Sequence, residues 1–87
     1  MKQEQIIGEL ERLAQKLGVI VRYERMGTLS GGLCRIDDKL YLFINKSLTI
    51  KSKIELIANE ISTLDWKNHF VRPEVKEILE SSFLTKS

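Results

Sequence analysis

Leu33-Cys34-Arg35-Ile36-Asp37-Asp38-Lys39-Leu40-Tyr41-Leu42-Phe43-Ile44 is the stretch that decides the fold. Two short apolar runs flank a short polar turn, the pattern of a β-hairpin. The second run is apolar at every position from Leu40 to Ile44, so a strand there carries apolar side chains on both faces. It is expected at the centre of a sheet, with cover on both sides. Upstream, Val19-Ile20-Val21-Arg22-Tyr23-Glu24 is β-branched and aromatic. It passes from continuous apolar to alternating, as a strand does on leaving a core. The intervening segment 25–32 breaks the pattern with Gly27, Gly31 and Gly32.

Helices bracket these strands. Over residues 2–17, Ile6, Ile7, Leu10, Leu13, Ala14 and Leu17 recur at helical spacing. Glu4 and Glu9 come early and Lys16 late, as the macrodipole favours, and Gly18 follows as a stop. Thr49 is placed to N-cap a helix over 50–65, in which Ile50, Ile54, Ile57, Ile61 and Leu64 form one stripe. Ile54, Ile57, Ile61 and Leu64 are expected in the core. Residues 66–72 connect to a final helix that opens at Pro73 and carries Val75, Ile78, Leu79 and Phe83. The order α-β-β-β-α-α implies an α+β fold: a three-stranded, mainly antiparallel sheet packed against helices, with the first and third helices covering it.

Composition bounds the function. Eighty-seven residues make one small domain, 1–87, which buries only about 60–65% of the surface its unfolded chain exposes. Apolar residues are 43% and charged residues 30%, with 14 Lys and Arg against 12 Asp and Glu. That apolar content with a net charge of +2 argues against intrinsic disorder. No run of even ten apolar residues is present, so neither a transmembrane helix nor a signal-peptide core is expected. A single cysteine and a single histidine exclude an internal disulfide framework and an independent structural zinc site. The expected compartment is the cytoplasm.

Several chemistries are weak fits. Gly27 and Gly32 have the separation of a phosphate loop, but Leu33 and Cys34 follow them where Lys and Ser or Thr are needed, and the next element is a strand. Cys34 could be a nucleophile only with His69, the sole imidazole, as its base, and Arg35 beside it on a strand points to the other face; a small buried strand cysteine is the commoner case. Lys67, His69 and Arg72 around Trp66 and Phe70 form a small basic-aromatic stretch, too sparse to specify nucleic acid. There Trp66 and Phe70 are expected to anchor the connector to the core. Asp37 and Asp38 suit the backbone of a turn better than acid–base work.

The motif order adds a resemblance. Leu17-Gly18-Val19 ends the first helix, and Tyr23, Gly31-Gly32-Leu33-Cys34-Arg35 and Ile44-Asn45 follow. Leu56-Ile57-Ala58-Asn59-Glu60-Ile61 then lies on a helix. Over roughly residues 5–66 this resembles a family of small uncharacterised bacterial proteins. More remotely it resembles the minimal core of ImmA/IrrE-type zinc metallopeptidases. The latter likeness implies a hairpin strand leading into a helix that bears His-Glu-x-x-His. At that place stand Asn59-Glu60-Ile61-Ser62-Thr63, so Asn59 and Thr63 occupy the imidazole positions and only Glu60 matches. Amide and hydroxyl side chains are poor zinc ligands. The resemblance therefore implies the fold without the reaction: no catalytic residue, no metal and no cofactor are expected.

The expected function is a non-enzymatic cytoplasmic binding or assembly module on this degenerate metallopeptidase-like scaffold. The alternatives are a nucleic-acid-associated accessory protein and an enzyme subunit completed by a partner chain. On the helix over 50–65, Leu56, Asn59, Thr63 and Trp66 fall on a second line, spaced 3, 4, 3, roughly opposite the isoleucine stripe. Either the final helix folds back over this line, or the line serves with Phe83 as an interaction surface. The expected partner is a second copy, as a homodimer, or another protein, with no membrane involved.

Overall fold

A computed structural model describes the backbone of residues 1–86 and the side chains of residues 1–82. Its elements run α1 (Gln3–Lys16), β1 (Val19–Glu24), β2 (Gly31–Ile36), β3 (Lys39–Asn45), α2 (Ile50–Ile61) and α3 (Pro73–Lys86). This is the α-β-β-β-α-α order of an α+β domain.

The hairpin turn is tighter than its sequence suggests. Asp37 and Asp38 both take positive φ, 50° and 64°. That makes a two-residue connection whose twist matches the strands on either side. Ile36 then pairs with Lys39, and the antiparallel ladder runs back to Gly31 opposite Ile44.

Strand order is β1-β3-β2, with β1 parallel to β3. One of the two pairings is therefore parallel and the sheet is mixed. The six residues between β1 and β2 are long enough to span the two strand spacings, about 10 Å, that separate them. The segment steps over the C-terminal end of β3 instead of closing a second hairpin.

Asn45, the last residue of β3, holds that crossing. Its side-chain Nδ2 donates to the carbonyls of Gly27 and Leu29 at 3.0 and 2.8 Å, and its Oδ1 accepts from the Ser47 amide at 3.0 Å. Its own backbone N–H donates to the Ser30 carbonyl at 2.9 Å. A residue only 3% exposed has its side-chain amide fully employed, as burial of a polar group demands.

The core lies between one sheet face and the helices. Leu10, Leu13 and Ala14 of α1, Val19, Leu42 and Ile44 of the sheet, and Ile54, Ile57, Ala58 and Ile61 of α2 form one buried cluster with Trp66, Val75 and Leu79. Thr49 caps α2 by accepting from the Ser52 amide at 3.2 Å. The helix ends at Ile61, four residues before the expected end, and Leu64 beyond it is half-buried.

Two layers result, not three. α1 packs on β1, and α2 packs on β2 and β3. α3 packs on the other two helices and, among the described residues, makes no contact with a strand. The helix expected beside α1 on the sheet is thus α2, while α3 forms an outer support. Among the described residues, the cover expected on both sides of β3 exists on one side only.

Candidate functional site

The sheet's two faces follow from strand alternation. Val19 and Val21 of β1 share a face with Leu33 of β2 and Leu40, Leu42 and Ile44 of β3, and the helices cover it; Tyr23, 36% exposed, lies at the margin of the same face. The alternate residues lie on the open face. In register these are Ile20 beside Tyr41 beside Cys34, and Arg22 beside Phe43 beside Gly32, with Ile36 beside Lys39 at the hairpin end.

This open face is apolar along its middle. Ile20 is 38% exposed and Ile36 43%. Tyr41 and Phe43 are half-buried by their neighbours and lie nearly parallel, ring centroids 5.7 Å apart. Cys34 is a free, exposed thiol on the same face. Arg22 donates to Glu24 at 2.9 Å at the β1 margin, so those two charges are matched within the chain.

Two glycines shape the β2 side of the face. Gly31 and Gly32 have φ of 125° and 153°. A Cβ at Gly31 would stand 2.0 Å from the Phe43 carbonyl oxygen, which no packing adjustment of a side chain relieves. A Cβ at Gly32 would point instead toward the helix side and meet Glu60 Oε1 at 2.9 Å. Glycine at 32 therefore admits the Glu60 carboxyl beneath β2.

The covered face holds one perturbed group. The Tyr23 hydroxyl donates to Glu11 of α1, and Lys53 Nζ of α2 lies 5.9 Å from the ring centroid. Partial burial, then the Glu11 carboxylate, push the phenol well above its ordinary range. Held protonated, Tyr23 ties β1 to both helices.

The line Leu56, Asn59, Thr63 and Trp66 is not one surface. Leu56 and Asn59 border a groove with Ser30, Leu48, Ser52 and Glu55. Thr63 and Trp66 border another, with Ser62, Asp65, Lys67 and Glu80. Trp66 is only 4% exposed and belongs to the core cluster with Val75 and Leu79 of α3, so it is internal packing rather than an exposed anchor. Thr63 falls past the end of α2, where its hydroxyl donates to the Glu60 carbonyl at 2.6 Å. Asn59 and Thr63 thus do not share a continuous helical face. Phe83 lies outside the residues whose side chains are described.

The connector differs from expectation at Phe70. Trp66 anchors it, but Phe70 is 82% exposed. Arg72 lies 3.6 Å from Glu9 of α1, which offsets one of the cations of the basic-aromatic stretch. Among the described residues no three His, Cys, Asp or Glu side chains gather closely enough to hold a metal ion. No helix among them is long and apolar enough to cross a membrane.

The open face escapes the sequence reading because cover on both sides is the usual reason for a strand apolar at every position. The only available signal is the polar margin, Arg22 and Glu24 on β1, which marks one face as wet. The chain matches no protein-family model, no curated protein and no solved structure.

Proposed function

We propose that the chain is a non-enzymatic, cytoplasmic binding or assembly module, on a degenerate metallopeptidase-like scaffold, that docks the apolar surface of another protein on its open sheet face. One observation carries this reading. Tyr41 and Phe43 occupy the central strand on the face that no helix covers, with Ile20, Cys34 and Ile36 around them. A sheet with one wet face ordinarily alternates apolar inward and polar outward. Aromatic residues at the outward places of β3 contribute little to this chain's own core, and aromatics are the side chains that supply energy at protein interfaces. The exposed, unpaired Cys34 suits a reducing compartment.

A nucleic-acid partner is less well served by this face, because Arg22 is neutralised by Glu24 and only Lys39 is left as a cation beside the aromatics.

The test is site-specific photo-crosslinking in the native cell, with p-benzoylphenylalanine at Tyr41 and, as control, at the exposed Lys16 of α1. The reading expects a discrete protein adduct from position 41 that disappears when Ile20→Lys is added on the same face, and no such adduct from position 16. Equal adducts from both positions overturn it. Adducts to RNA or DNA from position 41 replace it with the nucleic-acid alternative.

A further inference from the structure

We infer that the exposed ring of Phe70 is a stacking platform for one base of a single-stranded nucleic acid, and that two groups of cations flanking the ring receive the phosphates on either side of that base. The site lies on the helical side of the molecule. It is separate from the open sheet face and does not depend on how that face is read.

The backbone presents the ring. Trp66 before it and Val75 after it are 4% and 1% exposed, and the His69 amide donates to the Trp66 carbonyl at 3.1 Å. Phe70 stands between these anchors, yet it is 82% exposed and lies outside the buried cluster. A single exposed apolar side chain is ordinary by itself. Its surroundings here are not.

Two hollows meet at the ring, and Phe70 and Val71 border both. Lys67, His69 and Lys76 line the first, a cleft of about 470 Å³. Arg12 and Lys16 of α1 line the second. The sequence places only Lys67, His69 and Arg72 near Phe70; the packing of α1 and α3 brings the other cations.

Positive charge is concentrated here. Five cations, Arg72 included, meet two carboxylates, Glu9 and Glu80, which leaves a formal +3 with His69 neutral. The whole chain carries only +2. Glu9 serves both Arg12, at 2.9 Å, and Arg72, at 3.6 Å. Lys16, Lys67 and Lys76 form no ion pair among the described residues. The Glu74 carboxylate at the start of α3 is taken by the amino terminus at 3.0 Å.

Shape and charge together select the ligand. An aromatic face stacks on any base, and cations beside it neutralise the backbone. Cations on both sides of the ring suit a strand that runs across it, whereas a mononucleotide would engage one side only. A duplex keeps its bases stacked on one another and offers no free base face. A bilayer is too flat to enter the hollows, and one phenylalanine buries too little to anchor there. An acidic peptide gains nothing from the ring, whose face is itself negative. With one aromatic and a modest charge, binding should be sequence-tolerant and weak, with Kd of about 10–100 µM at low salt.

The experiment is fluorescence anisotropy of the full chain with fluorescein-labelled oligothymidylate or oligouridylate of about eight nucleotides, between about 50 and 200 mM salt. Saturable binding of either probe is expected, and the tighter one identifies the strand as DNA or RNA. Phe70→Ala should weaken it about tenfold without moving the melting temperature, since the ring is solvated. Phe70→Tyr should keep most of the affinity. Lys16→Ala and Lys76→Ala should each lower the slope of log affinity against log salt by about 0.7, while Lys39→Ala on the hairpin changes neither quantity. Absence of binding at low salt overturns the inference, as does binding indifferent to Phe70→Ala. Equal affinity for a duplex or for octaglutamate overturns it too, by making the patch a general anion surface. Capture on phosphatidylserine vesicles without oligonucleotide binding replaces the strand with a membrane.

Discussion

The two faces of one small sheet carry similar side chains and do different things. On the covered face Val19, Leu42 and Ile44 are at most 2% exposed, sealed by α1 and α2. One residue along each strand, Ile20, Phe43 and Tyr41 are also apolar but lie outside the buried cluster, on the face that no helix covers among the described residues. The covered set explains why the chain folds. The open set is surplus to that purpose, and an apolar surplus on an ordered strand is a feature that burial within the chain does not account for. Apolar content alone therefore does not tell a core position from one on an open face; the number of helices available to cover the sheet does.

The sharpest way to break the comparison is to truncate across it. Leu42→Ala removes a fully buried side chain and should cost about 2–5 kcal/mol through lost burial and the cavity left behind. For a domain this size that is a large share of the total stability. Phe43→Ala, the next residue, should cost about 1 kcal/mol or less in dilute solution, where a half-solvated ring has less to lose. Urea unfolding of both variants at low micromolar concentration measures the contrast. Equal losses would mean that Phe43 is core and that the open face is part of the fold.

The crossing over β3 makes the next largest effect. Asn45→Ala leaves the Gly27 and Leu29 carbonyls and the Ser47 amide without their partners. A cost of about 1–3 kcal/mol follows from buried polar groups left unsatisfied. Amide exchange should speed first in 25–30. A change confined to α2, with the crossing segment unmoved, would place Asn45's role elsewhere.

That crossing also marks where the sequence stops being legible. Element types and order follow from periodicity: the helical spacing of Leu10, Leu13 and Leu17, the isoleucines of α2, and the hairpin around Asp37 and Asp38. Which strand lies next to β1 does not follow. Segment 25–30 contains turn chemistry either way, and only the buried bonds of Asn45 reveal that it steps across β3. The candidate site suffers more. Trp66 and Leu56 stand on one helical line in the sequence, but α2 ends at Ile61 and the chain turns, so Trp66 goes inward to Val75 and Leu79 while Leu56 faces Ser30 and Leu48. A helical line extrapolated past the true helix end joins residues that share no surface.

Tyr23 gives the smallest effect and tests the covered face alone. Its phenol is held protonated above its ordinary value near 10. Below that value the folded and unfolded states are both protonated, and the contribution is intact. As pH rises above 10 the unfolded chain releases the proton while the folded chain keeps it, so stability falls. Tyr23→Phe should remove that part of the alkaline loss. An identical alkaline slope in the variant would mean that the Glu11 contact does not hold the phenol.

NMR of the unmodified chain with a neutral, soluble paramagnetic agent tests the central claim most directly, because it reads both faces at once. As the agent is added, signals of Ile20, Cys34, Ile36, Tyr41 and Phe43 on the open face should broaden. Those of Val19, Leu42 and Ile44 on the covered face should stay sharp. Equal protection of the two faces would contradict the account.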